Sequence, residues 1–162
     1  VMSAIMPTYG RLPVTFASGA GAYLTDQKGR QYLDALSGIA VTNLGHSHPS
    51  VTRAVTEQAE SLLPTSNLYG IAQQERLAAE LNQLTGMERI FFCNSGAEAN
   101  ETAIKMARRH GHNKGIGNPQ IVVLEGAFHG RTMGALSATG SAAIQAAFKP
   151  LLPGFSLSLI HI

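Results

Sequence analysis

The residues best suited to chemistry form one continuous run, Phe91-Phe92-Cys93-Asn94-Ser95-Gly96-Ala97-Glu98-Ala99-Asn100-Glu101. An apolar stretch delivers the chain into a Ser-Gly-Ala turn that opens a helix. The first N–H groups of a helix lack intrahelical partners, and the positive end of its dipole favours an anion. Ser95, Gly96 and Ala97 therefore make a candidate phosphate cradle, in which small side chains let the anion reach the backbone. The same spacing fits plain helix capping, with Asn94 or Ser95 as the cap and Glu98 or Glu101 in the first turn. Both readings stand on the residues alone. The run is neither a Walker A loop, since no Gly-Lys-Ser/Thr follows, nor a GxGxxG dinucleotide turn.

A second group, Phe128-His129-Gly130-Arg131, follows the apolar run Ile121-Val122-Val123-Leu124. Ligands of open α/β sheets bind at the carboxyl ends of strands. An aromatic face there can stack on a flat ligand, and a planar guanidinium can hold a carboxylate through two parallel bonds. The alternative makes Phe128 a core residue and Arg131 a surface charge. His46 and His48 stand two apart in Gly45-His46-Ser47-His48-Pro49 with no further cluster of metal-ligating residues nearby, so a turn-stabilising role is expected and no metal site. Cys93, the single cysteine, excludes an intrachain disulfide and is expected as a small core residue of a buried strand. His110 and His112 are expected to cap the end of a helix.

The elements that must position these residues follow from the patterning. Residues 1–20 carry two prolines and no helical period, which suits an extended lead-in with one short edge strand. Ala22-Tyr23-Leu24 and Gln31-Tyr32-Leu33 flank the polar loop Asp26-Gln27-Lys28-Gly29, the mark of an antiparallel hairpin. Pro49 suits the first position of a helix whose apolar residues Val51, Val55, Ala59 and Leu62 recur every three or four positions, ending near Leu63. Ile71, Leu77, Ala78, Leu81 and Leu84 predict a second helix closing at Thr85-Gly86. Ile90–Cys93 and Ile121–Leu124 read as buried strands. Between them a third helix runs to a basic end, Lys105 to His110, before Gly111. Strand, turn and helix in alternation predict an α/β fold with a parallel sheet.

Composition agrees with a globular chain of about one domain: 162 residues, 44% hydrophobic, 14% charged. A net charge of +2 with dispersed basic residues excludes a nucleic-acid footprint. No apolar stretch approaches the ~18 residues of a spanning helix, and the start has no basic region leading into an apolar one, so no membrane partner and a cytoplasmic location are expected.

These motifs, in order, resemble the beginning of the class III pyridoxal-phosphate-dependent aminotransferases of fold type I. The likeness runs from Met6-Pro7-Thr8-Tyr9 to about Pro153-Gly154-Phe155. It includes Gly38-Ile39-Ala40-Val41, Leu44 to Pro49, Ser66-Asn67-Leu68-Tyr69, Asn94 to Glu101 and Phe128 to Thr132. The resemblance implies an incomplete fold type I arrangement: residues 1–50 as a small-domain segment with the hairpin, and 51–162 as the first part of the mainly parallel-sheet large domain. It implies pyridoxal 5′-phosphate as cofactor, its phosphate held by Ser95, Gly96 and Ala97 and its ring stacked on Phe128. Within the family the pattern is closest to members acting on N-acetylornithine with 2-oxoglutarate in arginine biosynthesis. Arg131 would then bind the substrate α-carboxylate so that the terminal amino group reaches the cofactor. A homodimer is implied as well. Relatives using succinylornithine, succinyldiaminopimelate or ornithine are the nearest alternatives, although the ornithine enzymes tend to carry Tyr where Ile39 stands. A non-catalytic phosphate-binding module is the alternative from another class.

The family's aldimine lysine stands far downstream of these motifs. Lys28, Lys105, Lys114 and Lys149 lack its context, so no catalytic residue is assigned and the chain alone is expected to be inactive. After Phe155 the family usually continues into a strand and a polar loop. Ser156 to Ile162 departs from that pattern and is expected to reflect a truncated or frame-shifted reading.

Overall fold

In the computed structural model, which describes residues 4–159, the chain divides into two compact units, one running to Ala72 and the other starting at Gln73. The first is organised by its hairpin. Gly29 takes φ +80° in the loop, and Tyr23–Asp26 (β2) pairs antiparallel with Gln31–Leu33 (β3). Phe16–Ala20 (β1) pairs with the other edge of β2, giving the order β1-β2-β3. Asp26 ties the loop down. Its carboxylate accepts from the Lys28 and Arg30 N–H groups at 2.8 and 2.9 Å, from Arg30 Nε at 2.9 Å and from the Tyr32 hydroxyl at 3.2 Å. Burial pushes the Asp26 pKa up, but these donors, led by the Arg30 N–H, outweigh it and hold the group below its ordinary 3.8.

After β3 the chain enters a single turn, Ser37–Ala40 (α1), whose hand is reversed. Ser37, Gly38, Ile39 and Ala40 have φ of 50°, 60°, 65° and 59°. This left-handed geometry opposes the chirality of L-residues, at about 1–2 kcal/mol for each non-glycine. Asp34 supports the entry: Oδ1 accepts from the Leu36 and Ser37 N–H groups at 3.0 and 2.8 Å, and Oδ2 lies 2.6 Å from His46 Nε2. The His46 bond, followed by that from Ser37, holds the Asp34 carboxyl below its usual value. His46 is fixed in turn by a backbone bridge to Gly21, with N···O distances of 2.8 and 3.0 Å. Gly45 lies so close to Gly21 that a Cβ would fall 2.8 Å from its carbonyl oxygen. Pro49 then opens Pro49–Ser61 (α2) at the expected position. The apolar stripe of α2 is exposed, with Val51 at 47% and Val55 at 62%.

All of Ala72–Thr85 (α3) but its first residue belongs to the second unit, and Gly86 at φ +70° ends the helix. Ile90–Cys93 then differs from expectation: it forms no strand, Phe91 and Cys93 are exposed, and Cys93 is not a core residue. An apolar run becomes a parallel strand only when a neighbour takes up its ladder bonds and both faces are covered. Among the described residues none does this for Ile90–Cys93. The helix that follows, Gly96–Asn113 (α4), continues through Gly111 rather than stopping before it, and Lys114 closes it. Gly111 is buried there, and a Cβ would meet Pro119 at 2.7 Å. Packing, not capping, explains this glycine.

Ile121–Leu124 (β4) is a strand as expected, but its partner is Phe155–Ser158 (β5), parallel to it in the register Ile121↔Phe155 to Leu124↔Ser158. The departing tail therefore folds as a strand up to Ser158; residues 160–162 lie outside the described ones, as do 1–3 of the lead-in. Along β4 only Val123 is buried, while Val122 is 67% exposed. Arg108 of α4 supports β5, donating to the Pro153 carbonyl and lying 5.6 Å from the Phe155 ring centroid. The core sits in Met133–Ala138 (α5), followed by the short Ala142–Gln145 (α6) and a 3-10 turn at Ala146–Phe148. Ala135, Leu136, Ala138 and Val123 are the buried hydrophobic residues among those described.

Two outcomes follow from this arrangement. A carbon-13 titration of the Asp26 carboxyl should give a midpoint below 3.8. Because the folded-state pKa is depressed, the stabilisation is present at neutral pH and lost as pH falls through that midpoint, so Asp26→Asn should lower stability at pH 7 and flatten its acid dependence. With so little apolar surface buried, the 162-residue chain produced by itself should unfold in urea with a broad transition and an m-value below that of a fully packed domain of its length. A sharp transition with a full m-value would count against this.

Candidate functional site

The candidate cradle lies where α4 begins. Ser95 is the N-cap, in extended conformation, and its Oγ accepts from the Glu98 N–H at 3.2 Å. Glu98 Oε2 accepts from the Asn94 N–H at 2.6 Å, so the carboxylate closes the turn from the opposite side, as in a capping box displaced by one residue. Capping and anion binding are thus compatible. The cap occupies the Glu98 and Asn94 donors, while among the described residues the N–H groups of Gly96 and Ala97 have no acceptor. A Cβ built on Gly96 would meet nothing within 4 Å. Unpaired donors at a helix N-terminus, with open space beside Gly96, fit a phosphate.

The second group is brought to the first by Gly130. This residue is buried at φ +134°, and a Cβ on it would lie 3.1 Å from Ala97 Cβ and 3.1 Å from Ala135 Cβ. The loop carrying Phe128 and Arg131 therefore rests directly on the first turn of α4, which only glycine permits. Phe128 is 62% exposed and so is not a core residue. Arg131 places its Cζ 5.6 Å from the Phe128 ring centroid and, among the described residues, pairs with no carboxylate. An aromatic ring and a guanidinium with no carboxylate partner among the described residues stand together on the loop that rests against the cradle.

Residues given no such role by the sequence hold this loop. Asn100 Nδ2 donates to the His129 carbonyl at 2.6 Å. Glu101 is not a first-turn cap of α4. Its Oε1 accepts from Thr132 Oγ1 at 2.5 Å and from the Ala135 N–H at 3.1 Å, at the start of α5. The Thr132 hydroxyl, against the upward push of burial, holds Glu101 below its ordinary 4.5. Thr139 Oγ1 accepts from the His129 N–H at 3.2 Å, and Gln145 Nε2 donates to the Thr139 carbonyl at 2.7 Å. These partners lie up to 34 residues apart, beyond any local spacing rule. The one local signal was Thr132 as an N-cap ahead of the small-residue run of α5.

His46 is committed to Asp34, and no group of three or more metal-ligating side chains occurs among the described residues. Lys28 lies in the hairpin loop, Lys105 within α4, Lys114 at its end and Lys149 before Pro150. No described helix is long and apolar enough to cross a membrane.

The chain is similar to known aminotransferases. The chain is 59% identical over 154 residues to the acetylornithine aminotransferase of Nitrosomonas europaea, a match covering 95% of this chain and 39% of that protein. Among solved structures, an ornithine aminotransferase of Toxoplasma gondii with partial occupancy of pyridoxal phosphate at its active site superposes with a TM-score of 0.89 at 31% identity, over 96% of this chain and 37% of that one. The N-acetylornithine aminotransferase of Stenotrophomonas maltophilia gives 0.70 at 43% identity, over 75% and 34%. The chain thus spans about two fifths of the length of the curated relatives it matches. Residues 5–160 match the class-III aminotransferase family across nearly the whole chain, and with the fold type I likeness of the solved structures this establishes that the chain belongs to the class-III aminotransferases.

Proposed function

We propose that this chain supplies the cofactor-phosphate and substrate-carboxylate contacts of an enzyme that transfers the terminal amino group of N-acetylornithine to 2-oxoglutarate. In the complete protein, residues 1–50 contribute to a small domain and 51–162 open the large cofactor-binding domain. Two copies assemble as a homodimer in the cytoplasm. The observation that carries the reading is the seating of Gly130 on Ala97, which joins the free N–H groups of α4 to Phe128 and Arg131. The preference for the acetylated donor rests on the likeness to the Nitrosomonas europaea enzyme.

The cofactor is pyridoxal 5′-phosphate. The Gly96 and Ala97 N–H groups and the Ser95 hydroxyl hold its phosphate, with the helix dipole adding to the attraction. Phe128 lies against its ring through an aromatic face that water leaves at little cost. Arg131 binds the α-carboxylate of the donor through its fork of N–H groups, which orients the far amino group toward the reacting centre. Pyridoxal phosphate, when bound, supplies an aldehyde that receives the amino group and a ring that takes up electron density. What the protein adds is placement: one ligand contact on a helix end, two on a loop fixed to that helix.

Three measurements on the complete protein carrying this chain test the reading. Glutamate should form from 2-oxoglutarate when N-acetylornithine is the donor, and much more slowly with ornithine. Arg131→Ala should raise the KM for N-acetylornithine by about 10–100-fold, the loss of a charge-assisted pair, with cofactor uptake unchanged. Equal loss of cofactor would contradict the role given to Arg131. Gly130→Ala, which forces a methyl against Ala97, should destabilise the loop by roughly 1–3 kcal/mol and weaken cofactor binding and substrate binding together.

A further inference from the structure

We infer that Glu101 is a positioning residue for Arg131, setting where the substrate carboxylate is bound without touching it; the inference rests on the proposed role of Arg131. Arg131 lies between fasteners that all lead back to α4. On one side, Asn100 holds the His129 carbonyl and Gly130 rests on Ala97. On the other, the half-buried Glu101 takes the Thr132 hydroxyl and the Ala135 N–H on one carboxylate oxygen. Arg131 itself is exposed, lies over the Phe128 ring and has no ion-pair partner among the described residues, so its place depends on the loop that carries both side chains.

The fit around Glu101 is close. A Cβ on Gly134 would fall 2.5 Å from Glu101 Oε1, so a side chain there would displace the carboxylate. The carboxylate therefore sits directly against the first turn of α5, where the unpaired N–H groups favour a negative charge. Beyond that turn the chain is the most buried part of the molecule, with Ala135 fully buried and Leu136 2% exposed. The loop is thus pinned between a rigid core on its carboxyl side and α4 on its amino side, with Glu101 bridging the two. Plain capping of α5 needs only Thr132, whose Oγ1 already accepts from the Ala135 N–H at 3.4 Å. The carboxylate on α4 adds what a local cap does not: it ties the cap itself, one residue from Arg131, to the helix that carries the phosphate cradle.

The test uses the complete protein loaded with pyridoxal phosphate, unchanged and as Glu101→Ala and Glu101→Gln. Glutarate serves as a non-reacting carboxylate probe, measured by calorimetry. Cofactor affinity is measured separately by fluorescence titration of the cofactor-free forms. Glu101→Ala should weaken glutarate about tenfold, as a displaced binding group does, with cofactor affinity unchanged. Glu101→Gln keeps an oxygen that accepts from Thr132 and Ala135, so it should bind glutarate within about threefold of the unchanged protein. Should Glu101→Ala not fold, Thr132→Val removes the same bond from the loop side and should give the same pattern. Unaltered glutarate binding in these variants, parallel loss of glutarate and cofactor, or no recovery with Gln would each overturn the positioning role. If the unchanged protein binds glutarate no better than Arg131→Ala does, the reading of Arg131 itself fails, and the inference falls with it.

Discussion

The contact between Gly130 and Ala97 is the constraint on which the rest of the second unit depends. It brings two backbones within the reach of a methyl group, and a Cβ there would crowd Ala97 and Ala135 at 3.1 Å in a backbone conformation that favours glycine. Because α4 is a single helix of eighteen residues, everything fastened to it moves as one body with its N-terminus. Asn100 and Glu101 fall one turn beyond Ala97, where a helix presents neighbouring side chains to the same surface, and both reach the loop. The consequence is that the phosphate donors and the groups on the loop share one frame of reference, although more than thirty residues separate them in the chain.

The first unit uses different means to a similar end. Its sheet is small and its apolar face exposed, so local polar contacts replace burial as the source of order. Asp26 gathers four donors within one hairpin, and Asp34 gathers three across the turn that follows. Charged acceptors bound by backbone N–H groups are among the stronger local contacts available to an exposed chain. They weaken together in acid, because each loses its acceptor charge when protonated.

Much of this was legible from the sequence, and the failures share a cause. The hairpin, the proline that opens α2, the glycine that closes α3 and the Ser95 cap are all decided within a few residues, and local rules found them. The family likeness found the pairing of the Ser-Gly-Ala turn with the Phe-His-Gly-Arg loop, which spacing alone left open. Ile90–Cys93 failed as a strand because strand formation is decided by a neighbour, not by the apolar run itself. Gly111 was misread as a stop because a glycine serves equally to end a helix and to admit Pro119. The anchoring roles of Glu101, Thr139 and Gln145 were invisible for a further reason: polar residues of ordinary type acquire such roles only when distant segments meet.

The reversed turn at Ser37–Ala40 bears on how this sequence can drift. Ile39 is β-branched, left-handed in backbone and 80% exposed, the combination that chain sterics tolerate least. On backbone grounds alone, random substitution at this codon would settle on glycine or asparagine, which adopt that conformation at little cost. An isoleucine there is therefore held by its surroundings against its own backbone preference, so the turn is kept at a cost in intrinsic stability.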